Sequence, residues 1–126
     1  MTIFFEDTFS VSTIDAEGKR FDKVSRATCQ SLHDKTCSLT FDYHNLLLPL
    51  SVQDKIKISF NTSDSNDTLG ACDYATNNII FKIEQKDLLT VVLSAGGLLT
   101  SISLDKSKMA NIVNGQNVYI EITKIK

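Results

Sequence analysis

The sequence predicts an all-β protein, and three observations support this prediction. Apolar and polar residues alternate with a period of two in several segments, no segment has a convincing helical pattern, and turn residues separate the alternating segments. About eight short strands joined by tight turns are typical of a closed antiparallel barrel or a sandwich. The barrel is favoured because closure leaves no exposed strand edges in so small a chain.

Three segments alternate most clearly. In residues 55–60 every second side chain is apolar, beginning at Ile56, and residues 37–43 and 118–123 repeat this pattern. Such alternation describes antiparallel strands with one buried and one solvated face. Weaker strands are predicted over residues 5–14, 21–30, 79–84, 88–94 and 98–104.

The connecting segments contain residues typical of turns. Asn77-Asn78 predicts a two-residue hairpin turn, because Asn tolerates the left-handed backbone of such turns. Residues 45–48 predict one short turn ended by Pro49. Residues 105–116 predict a turn or two of helix, or a loop pinned by its three apolar residues, Met109, Ile112 and Val113.

The pair Gly96-Gly97 allows two interpretations. It is either a hairpin turn, which the spacing favours, or a place where another backbone approaches closely. The adjacent Leu98 and Leu99 fall on opposite faces of the following strand. One leucine is therefore predicted in the core, and the other is exposed unless a neighbour covers it, which indicates an interface.

Length and charge limit the class of protein. The 126 residues fit a single domain over 1–126, with an ordinary 42% apolar and 22% charged residues. The net charge of −2 argues against a protein that binds nucleic acid mainly through its own charge. Cys29, Cys37 and Cys72 are odd in number and widely spaced, and no apolar run is long enough to cross a bilayer. A cytosolic or nuclear protein with reduced thiols is predicted.

Residues that would indicate an enzyme are few. His33 and His44 are the only histidines, both are interpreted as surface residues, and the acidic residues are scattered among turns and strand ends. No phosphate-binding, nucleophile or zinc-protease motif is present. The sequence therefore predicts no catalytic residue, no cofactor and no metal site, and a small enzyme is the weakest hypothesis.

One stretch of this acidic chain is basic. Between residues 19 and 35, five cationic residues against two acidic ones give a charge of +3, and an aromatic residue is interleaved. A basic strand pair with an aromatic side chain can hold single-stranded nucleic acid, although the small charge favours a simple solvated face. The candidate nucleic-acid residues are Lys19, Arg20, Phe21, Lys23, Arg26 and Lys35.

Several blocks taken together resemble a known family. They read FEDTFSV at 5–11, GKRFDKVSR at 18–26, CSLTFD at 37–42, DY at 73–74, GGLL at 96–99 and VYI at 118–120. In order and spacing they are similar to the eighth subunit common to eukaryotic RNA polymerases I, II and III. The resemblance covers nearly the whole chain except residues 61–70 and 105–116.

The resemblance implies an eight-stranded antiparallel OB-like barrel with at most short helical turns. It implies a non-catalytic structural subunit in the nucleus, and in the nucleolus through polymerase I, bound mainly to the largest polymerase subunit. It also implies weak single-stranded DNA binding by the first strands, with neither a membrane nor a small-molecule substrate as partner. The candidate partner-interface residues are Asp73, Tyr74, Gly96, Gly97, Leu98 and Leu99. A free-standing OB-type single-strand binder is the alternative.

Overall fold

The computed structural model describes residues 3–16, 18, 22–62, 72–109 and 111–125. Eight strands occupy most of these residues: β1 Ile3–Ile14, β2 Val24–Ser31, β3 Ser38–His44, β4 Lys55–Asn61, β5 Tyr74–Gln85, β6 Leu89–Ala95, β7 Leu98–Leu104 and β8 Asn117–Ile125. Within these ranges the only helical element is a three-residue 3-10 turn, Lys106–Lys108, and no helix is long and apolar enough to cross a membrane. The all-β prediction is confirmed.

The eight strands close into one antiparallel barrel. Their order around the barrel is β1-β2-β3-β7-β6-β5-β8-β4, and β4 pairs with β1 to complete it. Two meanders, β1 to β3 and β5 to β7, meet where β3 pairs with β7, and β8 lies between β5 and β4. The predicted eight-stranded barrel is therefore confirmed, and the sandwich alternative is wrong.

The period-two alternation fills the inside of the barrel. Ile56, Ile58 and Phe60 on β4 are at most 1% exposed, while Lys55 and Lys57 between them face solvent. Removing one such side chain from water stabilises the fold by about 2 kcal/mol. The other strands contribute alternate residues in the same way, including Phe9, Val11, Cys29, Leu39, Phe41, Val91, Leu93, Ile102, Val118, Ile120 and Ile122.

The predicted turn at Asn77-Asn78 is wrong. Both residues lie inside β5, opposite Tyr119 and Val118 of β8. Asn78 is 1% exposed, and its side-chain amide, Nδ2, donates to the Thr76 hydroxyl at 2.8 Å. Pairing with β8 and this internal hydrogen bond outweigh the weak preference of Asn for turns.

Gly96-Gly97 forms the hairpin turn between β6 and β7. The φ angles are +60° and +100°, and Ala95 pairs with Leu98 across the turn. Positive φ at both central residues is the requirement of a tight hairpin turn, and no heavy atom lies within 4 Å of where either Cβ would be. The turn interpretation is therefore correct, and close backbone approach is excluded within the described structure.

The prediction that one leucine of the pair belongs to the core is wrong. Leu98 is half-buried and lies outside the core cluster, and Leu99 is 38% exposed. Both residues directly follow the turn at the rim of the barrel. The first buried residue of β7 is Thr100, so the core begins only after the leucine pair.

Two other connections agree with the sequence in part. The Leu48 amide donates to the His44 carbonyl at 2.9 Å, which closes the single turn predicted before Pro49. In the segment 105–116, Met109 is buried and Ile112 packs against the core. Val113 is 62% exposed, so only two of the three apolar residues pin this segment.

Candidate partner and nucleic-acid interface

Asp42 connects the two groups of candidate residues. It lies on β3 opposite Arg26 of β2, and its carboxylate accepts from Arg26 Nε at 2.7 Å and from Nη2 at 3.3 Å. The same carboxylate accepts from the Leu99 backbone amide at 3.0 Å. Arg26, a candidate nucleic-acid residue, and Leu99, a candidate partner residue, thus bind the same acidic side chain. The sequence did not predict a role for Asp42, because only the strand register brings these three residues together.

A groove of about 610 Å³ lies beside this contact. Asp15, at φ +52°, turns the chain after β1. Its backbone amide donates to the Arg26 carbonyl at 2.8 Å, and its carbonyl accepts from the Gly18 amide at 2.9 Å. This segment forms one side of the groove, and the Gly96-Gly97 turn forms the other. The outer surfaces of β2 and β3 line the groove between them, so it crosses the strand pair that carries the basic stretch.

The described basic residues do not form one cluster. Lys23 precedes β2 and Lys35 lies in the loop after it, so the two lie towards opposite ends of a strand about 23 Å long. Both are exposed, while the charge of Arg26 is paired with Asp42. Lys19, Arg20 and Phe21 lie outside the described residues.

The candidate partner residues lie at one end of the barrel. The Tyr74 hydroxyl accepts from the His44 backbone amide at 3.2 Å, and His44 ends β3 two residues after Asp42, which holds Leu99. Asp73 accepts from the Lys124 backbone amide at 2.7 Å. The end of β3 therefore lies between Asp73-Tyr74 on one side and the β6–β7 turn on the other.

Two exposed leucines extend this rim. His44 Nδ1 accepts from the backbone amides of Leu46 and Leu47 at 3.3 and 3.2 Å, which fixes the turn after β3. Leu46 and Leu47 are 67% and 66% exposed, while Leu48 beside them is 1% exposed. Sequence reasoning treated this run only as a short turn. Exposed apolar side chains grouped in this way are typical of a protein interface.

The candidate chemical groups are poorly suited to catalysis. His33 lines a cleft of about 410 Å³ with Cys37, but burial, aided by nearby Asp7 and Asp34, raises the pKa of the Cys37 thiol to about 12. A thiol with that pKa is protonated at neutral pH and is a poor nucleophile. Among the described residues, no group of His, Cys, Asp and Glu is arranged to hold a metal ion.

Comparison with known proteins identifies the family. A family model described as RNA polymerase Rpb8 matches residues 6–71, which is 66 of the 126 residues. The chain belongs to the RNA polymerase Rpb8 family. This membership confirms the resemblance seen in the sequence, and it confirms the prediction of a non-catalytic polymerase subunit.

Relatives match this Rpb8 family member along nearly its whole length. A Dictyostelium discoideum protein named "DNA-directed RNA polymerases I, II, and III subunit rpabc3" is 31% identical over 98% of each chain. The Arabidopsis thaliana "DNA-directed RNA polymerases II, IV and V subunit 8B" is 27% identical over 98% of this chain and 97% of its own. A Saccharomyces cerevisiae subunit RPABC3 is 28% identical over 95% and 97%.

Proposed function

We propose that this protein is the non-catalytic structural subunit shared by nuclear RNA polymerases I, II and III. It supports assembly of these enzymes by binding their largest subunit, in the nucleus and, through polymerase I, in the nucleolus. The main support is its full-length similarity to a relative whose name assigns it to all three polymerases.

The proposed docking site is the rim of the barrel at the end of β3. Its residues are Asp73, Tyr74, Gly96, Gly97, Leu98 and Leu99. The hydrogen bonds of Tyr74 to His44 and of Leu99 to Asp42 bring both parts of this set to the same rim. The exposed Leu46 and Leu47 add apolar surface there, and covering apolar surface is the main favourable term in protein association.

Affinity purification tests this function. The tagged chain, expressed in its own cells, is expected to bring down the largest polymerase subunit, whereas isolation as a free monomer contradicts the proposal. Leu99→Asp is expected to reduce this capture at least about tenfold, because a charge would be buried in the interface. Val113→Asp is the matched control, since Val113 is also exposed but lies in the loop before β8.

We propose weak single-stranded DNA binding as a secondary property of the basic stretch. Exposed Lys23 and Lys35 and the groove across β2 and β3 support it. No observation favours a free-standing nucleic-acid-binding protein, since the net charge is −2 and Arg26 is paired with Asp42.

The DNA proposal is tested by oligonucleotide binding at rising salt. Affinity is expected to be weak, to fall steeply with salt, and to fall further in a Lys23→Glu, Lys35→Glu variant. The matched control, Lys57→Glu, Lys82→Glu, makes the same charge change on exposed side chains of β4 and β5. Equal binding by the wild type and the double variant contradicts the proposal.

A further inference from the structure

The barrel has an open edge along the first half of β5. On one side, β5 pairs with β8 from Tyr74 to Ile79. On the other side, its pairing with β6 begins only at Ile79, because β6 ends at Ala95 and turns back into β7. Among the described residues, no strand pairs with this second side between Tyr74 and Asn78.

The direction of the backbone groups along this edge follows from the strand register. The Ile80 amide donates to the Gln116 carbonyl at 3.0 Å, so Ile80 presents its hydrogen-bonding groups to β8. Successive residues of an antiparallel strand alternate between the two sides. Asn77 and Ala75 therefore direct two amide donors and two carbonyl acceptors to the open side.

Among the described residues, this edge has no lysine, proline or bulge to protect it. Natural proteins protect exposed edges with lysine, proline, bulges or a covering loop. Ala75, Thr76 and Asn77 are uncharged, and the irregularity in β5 lies farther along, between Ile80 and Lys82. The exposed side chains on this edge are the small Ala75 and the neutral Asn77, so neither obstructs an incoming strand.

Apolar side chains border the open position. Ile79 is 49% exposed and pairs with Ser94, and Ser94 pairs with Leu99, which is 38% exposed. These three residues form one cross-strand row on the outer face of the barrel, next to the open positions of β5. A strand that occupies the edge would place its outward side chains against this row.

We propose that an extended segment of the largest polymerase subunit adds to the barrel as a strand beside Ala75 and Asn77. This proposal rests on the proposed function, and it specifies how the largest subunit recognises the docking site at the rim of the barrel. The free donors and acceptors fit the backbone of another extended polypeptide, and the bordering Ile79 and Leu99 favour apolar residues in that segment. Backbone hydrogen bonds supply the affinity, and the apolar row supplies the register.

Proline substitutions test strand addition directly. Asn77→Pro and Ala75→Pro each remove an amide donor that faces the partner, without removing a hydrogen bond to β8. Each is expected to reduce capture of the largest subunit from cell extracts about tenfold. The matched controls, Asn77→Ser and Ala75→Ser, keep the amide and are expected to capture wild-type amounts. Wild-type capture by both proline variants overturns the proposal.

Hydrogen exchange of the unmodified chain provides a second measurement. It tests strand addition even when the proline variants do not fold. The Ala75 and Asn77 amides are expected to exchange rapidly in the isolated chain and to become protected in the complex. The Thr76 amide, which faces β8, is expected to be protected in both. Unchanged exchange of Ala75 and Asn77 overturns strand addition. If the wild-type chain captures no polymerase subunit, the proposed function itself fails.

Discussion

Among single residues, Asp42 accepts hydrogen bonds from both a candidate nucleic-acid residue, Arg26, and a candidate partner residue, Leu99. Its side chain is 11% exposed, while that of its partner Arg26 is 53% exposed. An ion pair with one well-solvated member contributes little to stability, about 0.5 kcal/mol. The hydrogen bond from the Leu99 amide to the Asp42 carboxylate ties β3 to the start of β7.

Substitutions at this contact are expected to separate the two contributions. Asp42→Ala is expected to lower the free energy of unfolding by about 1 to 2 kcal/mol, because Leu99 and Arg26 both lose their acceptor. Arg26→Ala is expected to cost less, about 0.5 kcal/mol, because an ion pair with one well-solvated member contributes little to stability. Urea denaturation measures both values. An equal loss in the two variants would show that the Leu99 hydrogen bond contributes nothing.

The buried thiols give a second prediction at the residue scale. Burial raises the pKa of Cys29 to about 12, as it does for Cys37, so about one thiol in ten thousand is ionised at pH 8. Alkylation of the native protein at pH 8 is therefore expected to modify neither residue, whereas alkylation in denaturant is expected to modify both. Mass spectrometry of the alkylated peptides measures this difference.

The same shifts make stability depend on pH. The folded thiols bind protons up to about pH 12, while unfolded thiols release them near 9.0. Their contribution to stability is thus complete below pH 9 and is lost as the pH rises towards 12. If alkylation of the folded protein at pH 8 modified Cys29 or Cys37 as fast as a free thiol, this result would contradict the burial of these residues.

At the scale of elements, the β6–β7 turn depends on its glycines. Gly97 has a φ of +100°, a conformation that L residues rarely adopt, although no neighbouring atom would contact an added Cβ. Gly97→Ala is expected to lower the free energy of unfolding by about 1 to 2 kcal/mol through backbone strain alone. Gly96→Asn is expected to cost less, because Asn tolerates the φ of +60° at that position. Thermal unfolding of both variants measures the difference, and equal stability would contradict this account.

Strand β5 shows how pairing outweighs local preference. Asn77 and Asn78 favour a turn as isolated residues, yet β8 holds both in an extended strand. The clear alternation in β4 was predictable because every second residue there is apolar. The start of β5 lacks that pattern, since Thr76 and Asn78 are polar residues on its inner side. No local signal could therefore predict it as a strand.

At the scale of the whole molecule, β8 closes the barrel. It pairs with β4 along Lys55 to Asn61 and with β5 along Tyr74 to Ile79. A chain that ends at Gln116 is expected to lose cooperative unfolding, because β4 and β5 would each lose a partner strand and the core would open. Circular dichroism during heating measures this. A sharp transition in the truncated chain would show that the other seven strands form a stable sheet without closure.

The sequence by itself predicted every strand except the first half of β5, the alternating core residues, the Gly96-Gly97 turn as the favoured of two interpretations and, through the order of its blocks, the family. These features depend on local periodicity and on residue identity, both of which can be read along the chain. Only the tertiary structure decided that Leu98 lies at the rim, that Asp42 joins Arg26 to Leu99, and that the first half of β5 has an open edge. These features depend on which strands become neighbours and in what register, and that is set by burial across the whole barrel.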